Sequence, residues 1–212
     1  MTPFTVLHVC MGNICRSPMA ERLLAHAVRE NGGADALVHS HSAGTGGWHE
    51  GEEMNPPAAR QVKARGADPA DFSARKLRAD HIDAADLILT ATADQSEYVT
   101  ALRPDAARRT FVLGEFGRLL AEVDLGVLPA SDGSAESVQV RGEALVEAVD
   151  AARGHATPLR EDDLDDPWGR GDQTFSRVAD EIEATVRPLA AALLAVDAAG
   201  TTGSAEGTGA GA

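Results

Sequence analysis

Short apolar runs alternate with helical stretches through most of this chain, and few architectures accommodate that order. Residues 5–10, 36–42, 85–90 and 109–113 are each too brief for an ordinary helix and together rich in Val, Leu, Ile and Thr, so they read as strands. After the first of them the pattern becomes helical, with Met19, Leu23, Leu24, Ala27 and Val28 sharing one face. Further helices are expected over about 52–65, 94–102 and, beyond the fourth strand, 115–122. Strands separated by helices pair in parallel, and a parallel sheet has to be covered on both faces. Right-handed crossovers then give a doubly wound α/β fold.

The chain has 212 residues, roughly one domain's worth. Nineteen Lys and Arg against thirty-three Asp and Glu leave a net charge of −14, which opposes sequence-independent binding to nucleic acid or to an anionic membrane surface. No apolar run reaches the ~18–20 residues that span a bilayer. The first residues also lack the basic start and long apolar stretch of a secretion signal. A cytoplasmic protein with no nucleic-acid partner and no membrane insertion is expected. Residues 124–157 break the alternation with Gly, Pro and Ser and then offer an Ala-rich helix near 141–153, so they are expected to form an insertion on the surface. A last helix is expected over about 174–196, with Pro188 as a point of kinking. Residues 198–212 hold five Gly and five Ala and no large apolar side chain, the composition of a flexible tail on a single domain of residues 1–197.

Both cysteines, Cys10 and Cys15, lie in one short segment, which points to a reactive thiol and not to a disulfide framework. That segment, Cys10-Met11-Gly12-Asn13-Ile14-Cys15-Arg16-Ser17-Pro18, places a thiol at a strand end, an Arg six positions on, and Ser-Pro at a helix start. Ser17 suits the N-cap and Pro18 the first helical position, so the free N–H groups of the helix would face back into the loop. Gly12 and Asn13 allow the loop to curl into a nest of amides suited to a tetrahedral oxyanion. A free thiol has a pKa of about 8.5, which helix N-termini and nearby cations lower, and this suits Cys10 as a nucleophile. The planar fork of Arg16 can hold two oxygens of a phosphoryl group. Ser17 can hydrogen-bond the sulfur. Cys10 as a mere small hydrophobe is the plain alternative, but it leaves the convergence of Gly12, Asn13, Arg16 and Ser17 unexplained. A zinc site from His8, Cys10, Cys15 and His26 lacks the usual spacing and a second cysteine pair.

This loop resembles the active-site loop of low-molecular-weight protein tyrosine phosphatases. Ser42-Ala43-Gly44-Thr45 followed by Trp48 is similar to the family's next motif, and Asp166-Pro167-Trp168 resembles its late Asp-Pro-aromatic segment. The resemblance runs over about residues 6–195 and is nearest to longer, actinobacterial-like members. It implies a flavodoxin-like doubly wound domain with a four-stranded parallel sheet flanked by helices, and a phosphatase that works through a cysteinyl-phosphate without cofactor or metal. In that reading Cys10 attacks phosphorus, Arg16 and the loop Met11, Gly12, Asn13, Ile14, Cys15 and Ser17 bind the phosphoryl group, and Asp166 acts as general acid and then base. Ser42 would brace the loop with Asn13. Trp48 and Trp168 would wall a narrow site that favours an aryl phosphate, although either can instead belong to the core. Cys15 becomes a candidate for a reversible disulfide with Cys10. The partners implied are tyrosine-phosphorylated proteins, a bacterial tyrosine kinase among them.

Two positions depart from the family pattern. Phe72 stands where many members have His, so one hydrogen bond to the loop Asn is expected to be missing, and Thr92 stands where compact members carry Asp. Taken alone, Asp166 is also one charge in an acidic run with Glu161, Asp162, Asp163 and Asp165. Two other functions fit part of the pattern. An arsenate reductase would use the same loop with an external low-molecular-weight thiol, because no cysteine follows Cys15. A phosphopeptide-binding module would keep the loop without turnover.

Overall fold

Period-two alternation along strand β1 (Phe4–Cys10) sorts the molecule into two layers. In the computed structural model, which describes residues 2–196, Phe4, Val6 and Cys10 face one apolar core while Leu7 and Val9 face another. Strand β2 (Val38–Gly44) pairs in parallel with one edge of β1 and β3 (Leu87–Thr90) with the other, and β4 (Thr110–Val112) lies beyond β3. The order is β2-β1-β3-β4. The first face is covered by α1 (Arg16–Glu30), α5 (Leu113–Leu120), α6 (Ala135–Arg153) and α7 (Asp172–Leu194), with α2 (Pro56–Ala64) alongside. The second is covered by α3 (Ala79–Asp83) and α4 (Ala93–Leu102), which contribute Ile82 and Val99. Fully buried side chains such as Leu24, Phe116 and Ile182 contribute roughly 1.5–3 kcal/mol each to holding these layers together.

This is the flavodoxin-like α/β architecture expected, and its topology places the site. From β1 the chain crosses to β2 on one side, and later strands lie on the other, so the connections diverge above the carboxyl end of β1 and open a crevice there. Cys10 is the last residue of β1.

Several boundaries differ from the sequence reading. Helix α2 starts at Pro56, not at 52, because adjacent prolines are tolerated only in a first turn. Helix α1 starts at Arg16 with Cys15 at the N-cap position, so Ser17 is not the cap and Pro18 is the third helical residue. A proline is still accommodated there, since first-turn N–H groups have no intrahelical acceptor. Helix α6 begins at Ala135, where the Ser134 hydroxyl accepts the Ser137 N–H. Its first turns carry Ser137, Val138 and Val140, poor helix formers whose propensity is overridden by complete burial of Val138, Leu145 and Val149. The helical part of the stretch expected on the surface is thus built into the main core against β1, while most of residues 124–134 stay exposed. Helix α7 runs unbroken through Pro188. No described helix is long and apolar enough to cross a membrane. Residues 198–212 lie outside the described residues.

Candidate active site

The turn between β1 and α1 is held from outside by its carbonyls. Those of Cys10, Met11, Ile14 and Cys15 accept the N–H groups of Thr45, Gly46, Asn55 and Met19 at 2.9–3.2 Å. With the carbonyls turned outward, the amides of Met11, Gly12, Ile14, Cys15 and Arg16 are left without an acceptor among the described residues. Gly44 permits this closeness, because a Cβ there would lie 2.8 Å from the Met11 carbonyl oxygen and 3.0 Å from the Asn13 nitrogen.

Asn13 is the key to the turn. Its φ of 54° is left-handed, a conformation that costs a non-glycine residue roughly 1–2 kcal/mol and that Asn tolerates better than most. Its side chain supplies the compensation. Asn13 Oδ1 accepts the Arg75 backbone N–H at 2.9 Å, which fixes the amide's orientation, since a backbone N–H can only donate. The two Nδ2 hydrogens then go to Ser17 Oγ at 2.9 Å and Ser42 Oγ at 2.8 Å. Ser17 Oγ lies 3.0 Å from Cys10 Sγ, and once the sulfur is ionised it can only accept, so the Ser17 hydroxyl is the donor of that contact. The Asn13 N–H also points at that sulfur, at 3.3 Å. Two donors therefore converge on a cysteine that is only 2% exposed.

Arg16 is 5% exposed and ties the turn to the distant 160–170 segment. One guanidinium nitrogen donates to the Leu164 carbonyl at 3.1 Å, and the other lies 3.3 Å from Asp166 Oδ2. Its Nε is buried without a hydrogen-bond partner among the described residues. The segment is seated by the Leu164 N–H on the Ala91 carbonyl at 2.8 Å and by Asp163 on the Ala93 N–H at the start of α4. Asp166 remains half-exposed, and its other oxygen accepts the Trp168 N–H at 3.3 Å.

These groups enclose a pocket of about 270 Å³. Cys10, Gly12, Cys15 and Arg16 form its floor; Met11, Ile14, Trp48 and Trp168 supply apolar walls; Asp166 overlooks it. The Trp48 indole folds over Gly46 so closely that any Cβ there would collide with it. Of the residues singled out from sequence, Asn13, Ser17 and Ser42 do not line the pocket and lie behind it as supports. Trp48 and Trp168 are at the rim, not in the core. The pocket also includes His49, whose ring packs over Gly12 and whose Nδ1 lies 2.9 Å from Glu52 Oε2. Nothing in its spacing marks His49 out in the sequence.

The second thiol differs from the first. Burial, and then the neighbouring Cys10 and Asp166, push Cys15 up to about 12 against the opposing pull of Arg16, which keeps it a neutral thiol. Both cysteines are free. The two departures are absorbed locally. Phe72 packs under the Arg22 guanidinium, and the Asn13 carbonyl takes the Arg75 N–H, so that oxygen is not left unpaired. Thr92 donates to Gln95 at 2.7 Å and does not line the pocket. The four residues weighed for zinc do not converge: His8 meets Ser40, and His26 meets Glu30.

A sequence model of the family described as low molecular weight phosphotyrosine protein phosphatase matches residues 5–152. Low molecular weight protein-tyrosine phosphatase A of Mycobacterium tuberculosis is 42% identical over 106 residues, covering 50% of this chain and 63% of that protein. The low molecular weight protein-tyrosine-phosphatase of Streptomyces coelicolor is 39% identical over 108 residues, covering 50% of this chain and 65% of that protein. The chain therefore spans less than two thirds of the length of either relative. Among solved structures, the YwlE arginine phosphatase from Geobacillus stearothermophilus is similar, with a TM-score of 0.60 and 26% identity over 89% of this chain and 91% of that one. The match over residues 5–152 takes in well over half of the sequence, and the chain belongs to the low molecular weight phosphotyrosine protein phosphatase family.

Proposed function

We propose that this chain is a protein tyrosine phosphatase that hydrolyses phosphotyrosine through a phosphate ester of Cys10. One observation carries the reading: Cys10, Arg16 and residues whose loop amides have no acceptor among the described residues line one pocket together with Asp166. The amides and Arg16 are donors fixed before substrate arrives, which is the arrangement that stabilises charge developing on phosphoryl oxygens.

In the first step the Cys10 thiolate forms the S–P bond as the P–O bond to the phenol breaks, and the Asp166 carboxylic acid protonates the departing oxygen. In the second, the Asp166 carboxylate takes a proton from water, the hydroxyl attacks phosphorus, and the S–P bond breaks to release inorganic phosphate and the thiolate. The Ser17 hydroxyl, already aimed at the sulfur, stabilises the anion that leaves. Before substrate binds, Asp166 pairs with Arg16, and a phosphoryl dianion would displace it towards the leaving group. Trp48 and Trp168 offer stacking surface to an aromatic ring. Tyrosine-phosphorylated proteins are the partners this reading implies, with a bacterial tyrosine kinase as one. Two free thiols suit a reducing cytoplasm.

The test is hydrolysis of an aryl phosphate by the parent, Cys10→Ser and Asp166→Asn. Cys10→Ser is expected to abolish turnover, and activity that survives it would refute the covalent route. Asp166→Asn should lose less with a leaving group that is already stable as an anion; equal losses across leaving groups would count against its role as the acid.

A second reading draws on the Geobacillus structure, described as an arginine phosphatase. Phosphoarginine presents a polar guanidine where Met11, Ile14 and the two tryptophans present apolar walls, so kcat/KM should be higher for a phosphotyrosyl than for a phosphoarginyl peptide. The reverse order would move the assignment. Arsenate reduction with an added thiol, measured in parallel, is expected to be absent, and phosphopeptide binding without turnover would indicate a binding module.

A further inference from the structure

Behind the loop the hydrogen bonds continue past the motif. The Ser42 hydroxyl, which accepts one Asn13 Nδ2 hydrogen, donates its own to Glu21 Oε2 at 2.6 Å. Glu21 lies on α1 one turn after Ser17, with a side chain only 15% exposed. Burial pushes the Glu21 carboxyl above its ordinary value, opposed by the Ser42 hydrogen bond and by the charges of Arg22 from its own helix and Arg75 from the segment beyond α2, and the Ser40 hydroxyl donates to its backbone carbonyl.

With Glu21 and Cys10 both ionised, each link in this relay has one direction. A carboxylate only accepts, so Ser42 spends its one hydrogen on Glu21 and presents its oxygen to Asn13. Asn13 then has one Nδ2 hydrogen on Ser42 and the other on Ser17, which leaves the Ser17 hydrogen for Cys10. Phe72, beside the same helix, has no polar atom to offer in Glu21's place.

We propose that Glu21 is a positioning residue for the nucleophile: as a pure acceptor it orients Ser42 and, through Asn13 and Ser17, the donors that meet the Cys10 sulfur. The inference rests on the reading of Cys10 as nucleophile. It opposes the through-space effect of the same charge. A negative group near a sulfur disfavours its ionisation, so by field alone removal of Glu21 would lower the pH at which Cys10 becomes reactive. Loss of the relay would raise it.

The experiment measures alkylation of Cys10 by iodoacetate against pH, located by mass spectrometry, together with kcat and KM for an aryl phosphate. The full chain is used as parent, Glu21→Ala, Glu21→Gln and Ser42→Ala. Cys15, pushed up to about 12, does not compete. Glu21→Ala is expected to lower kcat about five- to tenfold with KM little changed, and to raise the alkylation midpoint by about half a pH unit. Glu21→Gln, whose amide oxygen can still accept from Ser42, should return both to within about twofold of the parent. Ser42→Ala interrupts the relay with a small change of volume and should move the midpoint in the same direction as Glu21→Ala. An unchanged or lowered midpoint in Glu21→Ala and Ser42→Ala would overturn the proposal, as would a Glu21→Gln variant as impaired as Glu21→Ala. Activity surviving Cys10→Ser would instead remove the functional reading, so the two failures are distinguishable.

Discussion

At and just behind the floor of the pocket Cys10, Arg16, Asn13 and Ser17 are each no more than 5% exposed, whereas at the rim Trp48 is 70% exposed and Trp168 64%. The floor is organised by directional hydrogen bonds in a low-dielectric setting, where fixed donors act strongly on developing charge. The rim consists of large apolar side chains with little packed around them, suited to gripping a ring and to yielding to different surroundings of it. One turn of chain between β1 and α1 thus serves chemistry with its buried side while apolar groups from other loops serve recognition. The two functions should separate in mutant kinetics, kcat following the floor and KM the rim.

The sharpest break comes from Arg16→Lys. A compact ammonium cannot reproduce the planar fork that donates to the Leu164 carbonyl from one nitrogen while offering parallel donors to a phosphoryl group, so kcat should fall by roughly 10²–10³-fold, read with an aryl phosphate at saturation. Next is Asn13→Ala, which leaves a left-handed residue without its three side-chain bonds. Chemical denaturation should show a loss of about 2–4 kcal/mol, with kcat reduced as well. At the rim, Trp48→Ala should raise KM for a phosphotyrosyl peptide about five- to tenfold while kcat stays near the parent value. A change confined to kcat would show that this indole belongs with the floor.

A further effect, absent at neutral pH, is one of alkaline pH. In the folded chain Cys15 is held as a thiol up to about 12, above its ordinary value of 9.0. Between those values the unfolded chain gives up a proton that the folded chain keeps, so stability falls as pH rises, by about 1.4 kcal/mol per pH unit. Cys15→Ala should lack this contribution and show a shallower alkaline decline in urea-unfolding free energy. Parallel declines would place Cys15 in a more solvated setting.

The sheet and the loop were legible because each rests on a local rule: apolar runs of strand length, and a thiol, glycine and arginine crowded before a helix. What escaped depends on contacts between distant segments. Ser17 has the chemistry of a cap, yet the sulfur and Asn13 claim its hydroxyl, and the helix starts two residues earlier than that cap implies. The first turns of α6 look unhelical until Val138 and its neighbours meet the core. His49 joins the pocket because its ring packs over Gly12. The Leu164 carbonyl, as a backbone group, leaves no trace in residue type. Glu21 had one available signal, its position a helical turn beyond Ser17, but its partner Ser42 comes from another strand.

The account stands or falls on phosphorus passing through Cys10. Asp166→Asn should slow hydrolysis of the intermediate more than its formation from an aryl phosphate with a good leaving group, so the intermediate accumulates. Quenching that variant in acid during turnover and mapping it by mass spectrometry should place a phosphoryl group on Cys10. Continued turnover with no phosphoryl adduct, or with the adduct on another residue, would contradict it.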